Sequence, residues 1–168
     1  MVEQLTNNLP VIVQLNTKVM ILGSMPSTLS LEKQQYYGNK RNHFWPIMSE
    51  ILACPLPEKY MDRTTMLLEN GIGLWDSIAS CERQGSLDAT ITEEIPHDFA
   101  QFFSSYPAIQ AVFFNGAKAE TIFKKYSSMQ QFSHITFYKM PSTSPIPGKN
   151  IKSFDEKVVC WKKIIQYL

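Results

Sequence analysis

The chain has 168 residues, of which 44% are hydrophobic and 18% charged; this suits one globular domain spanning 1–168 and excludes a disordered chain or two well-filled cores. The longest apolar runs, 11–13 and 19–22, are too short to cross a bilayer, and the opening MVEQLTNNLP lacks a basic head followed by an apolar stretch, so a cytoplasmic protein with no membrane role is expected. The formal net charge is +1 but uneven: residues 1–114 hold seven Lys/Arg against twelve Asp/Glu, and residues 115–168 hold nine Lys against three Asp/Glu, a basic last third that suits an anionic partner such as a phosphate backbone, or a solvated surface.

KVMIL at 18–22 predicts a buried strand stopped by Gly23. A loop over 23–43 follows, and loops of that length inside a domain are usually functional. FWPIMSEIL at 44–52 predicts a helix with Pro46 tolerated in its first turn. Residues 61–69 predict a second helix stopped at Asn70-Gly71, and 72–75 a strand. A helix is expected over 98–104, with Asp98 near its start. AVFF at 111–114 predicts a strand broken by Asn115-Gly116, and a helix follows over 117–126. Residues 136–139 predict a strand ended by Pro141. Ser153 and Glu156 have the spacing of a capping box, and Phe154, Val158, Trp161, Ile165 and Leu168 recur at helical spacing as a core stripe. Strands alternating with helices predict an α/β fold, with a mainly parallel sheet covered by helices on both faces. Ligands in such folds bind beyond the carboxyl ends of the strands. The peptides GSMPS, NGAK and PSTSP leave those ends, so they are expected to converge on one pocket.

The chemistry-bearing residues lie in these peptides. Gly23 lets the backbone approach a ligand closely, and Pro26 stiffens the turn. Tyr36, Tyr37, His43, Phe44 and Trp45 lie close in sequence to Arg41 and Asn42, a mixture that suits a flat heterocycle beside a phosphate; Phe44 and Trp45 would equally serve as core. The Asn115 amide has one donor and one acceptor side by side, which matches a base edge, while Asn-Gly is also a common turn. PSTSP at 141–145 offers three hydroxyls in a rigid turn for phosphate oxygens, with Lys139, Lys149 and Lys152 near in sequence, or it is a plain turn. Cys54, Cys81 and Cys160 are widely spaced without a CxxC pair, which argues against disulfides, zinc or an iron–sulfur cluster. A thiol enzyme using Cys81 with His97 is a weaker reading than buried or idle cysteines.

Taken in order, GSMPS, QQYYGNKRNHFW, LWDSIASCERQGSLDATI, FFNGAKAETIF and MPSTSP resemble the uracil-DNA glycosylase superfamily, and within it the hypoxanthine (deoxyinosine) DNA glycosylases. The resemblance covers about 18–162. It implies a three-layer α/β/α fold around a four-stranded, mainly parallel sheet, and a metal-free, cofactor-free, monofunctional enzyme, expected as a monomer, that removes a deaminated base from DNA. The resemblance makes Asn42 the catalytic amide. Gly23, Ser24, Met25, Pro26, Tyr37, Phe44 and Asn115 would form the base site, with Tyr37 against the base and Asn115 at its edge. Arg41, Lys118, Pro141, Ser142, Thr143, Ser144, Pro145 and Lys149 would contact the DNA. The chain departs from the family pattern at Gly38-Asn39-Lys40, where an Ala-His-Pro-like stretch is expected, at Ser27 in place of Gly, and at Ile146-Pro147 in place of Ala-Asn. Rival readings are the same chemistry on uracil, a DNA-binding module of this fold without catalysis, and a nucleotide-binding enzyme unrelated to DNA.

Overall fold

A computed structural model describes residues 2–146 and 151–168. Four strands, β2 (Val19–Gly23), β3 (Ile72–Asp76), β6 (Ala111–Asn115) and β7 (Thr136–Met140), form one parallel sheet in the order β3-β2-β6-β7. The chain moves from β2 to one side and then crosses to the other, so the carboxyl ends of β2 and β6 flank a topological switch point. Both faces of the sheet are covered, which is why β2 is a continuous apolar run. Val19 and Ile21 pack with Phe44, Trp45, Ile47 and Met48 of α2 (Phe44–Leu52), and with Val158 and Trp161 of α6 (Phe154–Trp161). Met20 and Leu22 face the opposite layer, with Phe99, Phe102 and Phe103 of α4 (Phe99–Ser105) and Phe123 of α5 (Ala117–Tyr126). The three-layer expectation is met. Among the described residues no helix is long and apolar enough to cross a membrane.

Three features differ from the sequence expectation. A second sheet, antiparallel in the order β1-β4-β5, is built from β1 (Glu3–Thr6), β4 (Ile78–Arg83) and β5 (Thr92–Pro96). Its strands are mostly polar, and β4 pairs with β5 through two register shifts, so the two-residue alternation that reveals a strand is broken. The loop over 23–43 contains a short helix, α1 (Thr28–Lys33), capped by Ser27, whose hydroxyl accepts the Ser30 N–H. This gives Ser27 a structural task at the position where the family pattern has glycine. The terminal helix has the expected capping box at Ser153 and Glu156, but it tightens to a 3₁₀ turn over Lys162–Tyr167. The change of winding puts Ile164, not Ile165, in the core: Ile164 is fully buried, whereas Ile165 is 45% and Leu168 41% exposed.

Candidate active site

The peptides at the strand ends do converge. A cavity of about 390 Å³ is lined by Gly23–Ser27, Tyr36, Tyr37, Asn39, Asn42, Asn115 and Ser142–Ile146, and also by Asp76, Ser86 and Asp88. Tyr37, Asn39 and Asn42 form a wall shared with a second cavity, which carries Lys33, Lys40 and Arg63.

Tyr37 occupies the left-handed region at φ 54°, an uncommon and strained conformation for a bulky residue. Its ring stacks on Phe44 with centroids 4.0 Å apart, and its hydroxyl accepts a hydrogen bond from Asn115 Nδ2 at 3.1 Å. Burial raises the phenol well above its ordinary range, so it stays protonated. The neighbouring loop is equally fixed: the Trp45 indole donates to the Tyr36 carbonyl, the Tyr36 N–H donates to the Tyr60 hydroxyl, and the Tyr36 hydroxyl donates to the Pro10 carbonyl. Phe44 is fully buried behind Tyr37 and does not line the cavity; the base site expected to include it reaches it only through the Tyr37 ring.

Asn42 stands in the shared wall. Its N–H donates to the Asn39 carbonyl and its Oδ1 accepts the Phe44 N–H, both at 2.9 Å. Its Nδ2 has no protein partner among the described residues, so the amide is held at one end and available at the other.

Asn115 ties two loops together. Its Oδ1 accepts the Thr143 N–H at 2.9 Å, and its Nδ2 donates to Thr143 Oγ1 at 2.9 Å and to the Tyr37 hydroxyl. A backbone N–H must meet an oxygen, so the Thr143 contact fixes which way the amide points. The turn is made by Gly116, at φ 94° with its N–H on the Met140 carbonyl, which leaves the Asn115 side chain free for this cross-link. In this arrangement both Nδ2 hydrogens are engaged, and a base would have to displace one of them.

The GSMPS loop is held from below. Arg83 is fully buried; its Nη2 donates to the Pro26 carbonyl and its Nε to the Gly85 carbonyl, each at 2.8 Å. Ser24 Oγ donates to Asp88 Oδ1 at 2.9 Å. Met25 lines the cavity while packing with Ile78, Cys81, Ile91 and Ile122. Cys81 is buried and its thiol is pushed up by burial, the opposite of an activated nucleophile.

Of the expected DNA contacts, Ser142 is exposed and Ser144 half-buried, and each hydroxyl oxygen accepts the N–H two residues on, which leaves its own hydrogen available to a phosphate. Thr143 is 1% exposed and spent on Asn115. The Pro141 carbonyl accepts the Trp161 indole N–H, which anchors the loop, and Pro145 lines the cavity. Arg41 is exposed and Lys118 half-buried. Lys149 lies outside the described residues.

Two features escape a linear reading of the chain. Lys157, 3% exposed, places Nζ 3.2 Å from His43 Nδ1, and the His43 N–H donates to the Thr143 carbonyl. Burial lowers the Lys157 amine, and burial followed by Lys157 itself lowers His43. The partners lie 114 residues apart, so no local pattern reveals them. The other is Asp76, 4% exposed, at the end of the edge strand β3. Its neighbour in register is Gly23, and a Cβ at position 23 would lie 2.6 Å from Asp76 Oδ1; glycine is required for this carboxyl to reach the cavity.

A parallel sheet with a base-sized cavity at its switch point, walled by Tyr36, Tyr37 and the amides of Asn39, Asn42 and Asn115, is the architecture of an α/β protein with a site suited to a flat heterocycle. The comparisons with known proteins agree. The profile of the uracil DNA glycosylase superfamily matches residues 10–165, and the chain belongs to that family. A hypoxanthine DNA glycosylase from Methanosarcina acetivorans is 39% identical over 111 residues, 66% of this chain and 70% of that protein. The protein of the same name from Methanosarcina barkeri is 36% identical over the same shares. The solution NMR structure of a uracil DNA glycosylase candidate from M. acetivorans superposes with a TM-score of 0.81 at 29% identity, over 99% of this chain and 98% of that one.

Proposed function

We propose that this protein is a monofunctional DNA glycosylase that turns a deaminated base, hypoxanthine foremost, out of DNA and hydrolyses its bond to the sugar. The observation that carries the reading is the meeting of Asn42, Tyr37, Asn115 and the 142–146 loop around one cavity. The likeness to two hypoxanthine DNA glycosylases supports the choice of base. A cavity of about 390 Å³ is within the ordinary ligand range of roughly 300–1,000 Å³ and admits a bicyclic base. Turning the nucleotide out costs about a few kcal/mol, least for a mispaired base. As the base leaves, positive charge develops on the sugar. Among the described residues no lysine or cysteine lines the cavity; water, held by the free end of the Asn42 amide, is the nucleophile in this reading and an abasic site is the product. Ser142, Ser144 and Arg41 would hold the phosphates on either side.

The deciding experiment uses oligonucleotides carrying one hypoxanthine, uracil, xanthine or thymine, treated with alkali after single-turnover incubation. Hypoxanthine is expected to be released fastest, and free deoxyinosine to be left intact. Faster release of uracil would replace the substrate while keeping the enzyme class; no alkali-labile site in any strand would leave a DNA-binding module without catalysis.

The basic last third makes a second expectation. Lys124 and Lys125 are engaged by Glu120 and Glu94, so only part of the lysine excess is available to DNA. Affinity should fall steeply with salt, and each phosphate-contacting lysine removed should flatten the log–log slope by about one unit. Affinity independent of salt would contradict the footprint.

A further inference from the structure

The Asp76 carboxyl has no part in the mechanism described so far. Asn7 Nδ2 donates to its Oδ2 at 3.0 Å, while Oδ1 has no hydrogen-bond partner among the described residues and lines the cavity. The absent Cβ of Gly23 opens the way: an atom there would lie 2.6 Å from Asp76 Oδ1 and 3.4 Å from the Tyr37 hydroxyl. The carboxyl of a residue only 4% exposed thus presents one oxygen to the base site with no hydrogen-bond partner among the described residues, beside a hydroxyl already fixed by Asn115. Such an atom is open to a partner on the ligand.

We propose that Asp76 protonates the departing base: its Oδ1 carries the acidic hydrogen on the cavity floor and passes it to N7 of hypoxanthine as the C1′–N9 bond breaks. This rests on the reading of the protein as a hypoxanthine glycosylase. The electron pair of the broken bond stays with the base, and the transferred proton neutralises it, so hypoxanthine leaves uncharged. Water adds through its oxygen to C1′, and the proton it loses restores the Asp76 carboxyl. A carboxylate at that place would instead repel the negative charge growing on the purine. The environment favours the neutral form: burial, ahead of every other influence, pushes Asp76 up to about 7. The Asn7 hydrogen bond opposes the rise, Asp88 in the 3₁₀ turn over Asp88–Thr90 adds to it, and Arg83 of β4 again opposes it. The phenols of Tyr36, Tyr37 and Tyr60 surround the same carboxyl and remain protonated. Uracil has no N7, so the proton donor favours the purine.

The test is single-turnover excision by the wild type and Asp76→Asn, from about pH 5 to about pH 9. The substrates are DNA carrying hypoxanthine, 7-deazahypoxanthine or uracil. Asparagine keeps an acceptor for Asn7 but cannot release a proton. With hypoxanthine the wild-type rate should fall about tenfold per pH unit above about 7, and D76N should be about 10²-fold slower below that point and flat across it. On 7-deazahypoxanthine, which lacks the acceptor, both proteins should be equally slow; any uracil release should change little on substitution. Wild type cleaving the 7-deaza base as fast as hypoxanthine would overturn the proposal, whatever the variant does. An equal slowing of all three bases by D76N would assign Asp76 a structural role and also overturn it. A wild type that releases no hypoxanthine at any pH would remove the substrate reading, and this inference with it. Thermal melting checks the buried neutral carboxyl independently. Such a group binds its proton more tightly in the folded than in the unfolded chain, so native stability falls as pH rises from its ordinary value of 3.8 to about 7. D76N should lack that fall.

Discussion

Replacing Asn42 with alanine is expected to slow single-turnover excision by about 10²-fold or more while leaving DNA affinity nearly unchanged. The amide is oriented before substrate arrives: its backbone N–H is on Asn39, its Oδ1 holds the Phe44 N–H, and its Nδ2 is open to the cavity wall. Nδ2 and the remaining lone pair of Oδ1 can together hold one water against the sugar. A neutral amide does not remove the water's proton, so its contribution is position, and misplacement by about 1 Å suffices for a loss of this size. Alanine also removes the acceptor for an N–H in the first turn of α2, at about 1 kcal/mol. Asn42→Asp separates the two effects, because it keeps the acceptor for Phe44 and can still hold water; it should melt like the wild type and regain part of the rate. Near-normal turnover by N42A would remove Asn42 from the mechanism.

Asn115→Ala is expected to lose both activity and stability. Thr143 is 1% exposed, and its N–H and hydroxyl oxygen are satisfied by the Asn115 side chain. Alanine leaves them unpaired at about 1–3 kcal/mol, a fall in melting temperature of several degrees for a chain of this size. Tyr37 loses the hydrogen bond that helps hold its left-handed backbone against the cavity. Asn115→Asp is the informative partner. It still accepts the Thr143 N–H, and the Thr143 and Tyr37 hydroxyls can turn to donate to its second oxygen. It cannot donate to a base carbonyl, so it should melt closer to the wild type while excision remains low. An N115D protein with wild-type rates would show that this side chain joins the loops without reading the base. Release of adenine or cytosine by the wild type at comparable rates would also remove the readout, because those bases present the reverse donor–acceptor pattern.

The parallel sheet was legible in the chain because its central strands, β2 and β6, are buried on both faces. Continuous runs such as VMIL and AVFF leave no polar side, and the helices between them have ordinary starts and stops. From strands alternating with helices it follows that the ligand sits at the carboxyl ends, which is how the GSMPS, NGAK and PSTSP peptides could be assigned to one cavity before any contact was known; the roles expected of Asn42 and Tyr37 came from the resemblance to the glycosylases. The antiparallel sheet was not legible. β4 and β5 are rich in polar residues and bulged, and they hold together through pairing with distant residues rather than through a period of their own. Phe44 belongs behind Tyr37 and not against a ligand because helix α2 turns it into the core, and a single residue's aromatic character cannot distinguish the two placements. Ile164 replaces Ile165 in the core because the last turn changes its winding. The strand expected over 72–75 stops one residue short of Asp76, whose importance rests on the register that pairs it with Gly23 and on the missing Cβ there. Local pattern records period and burial, and these determined the layers, the strand ends and the peptides that carry the site. Register, cross-chain hydrogen bonds and the burial of single charged groups depend on residues far apart in sequence; only the tertiary structure decided that Asn115 would clasp Thr143, that Lys157 would meet His43 and that Asp76 would look into the cavity.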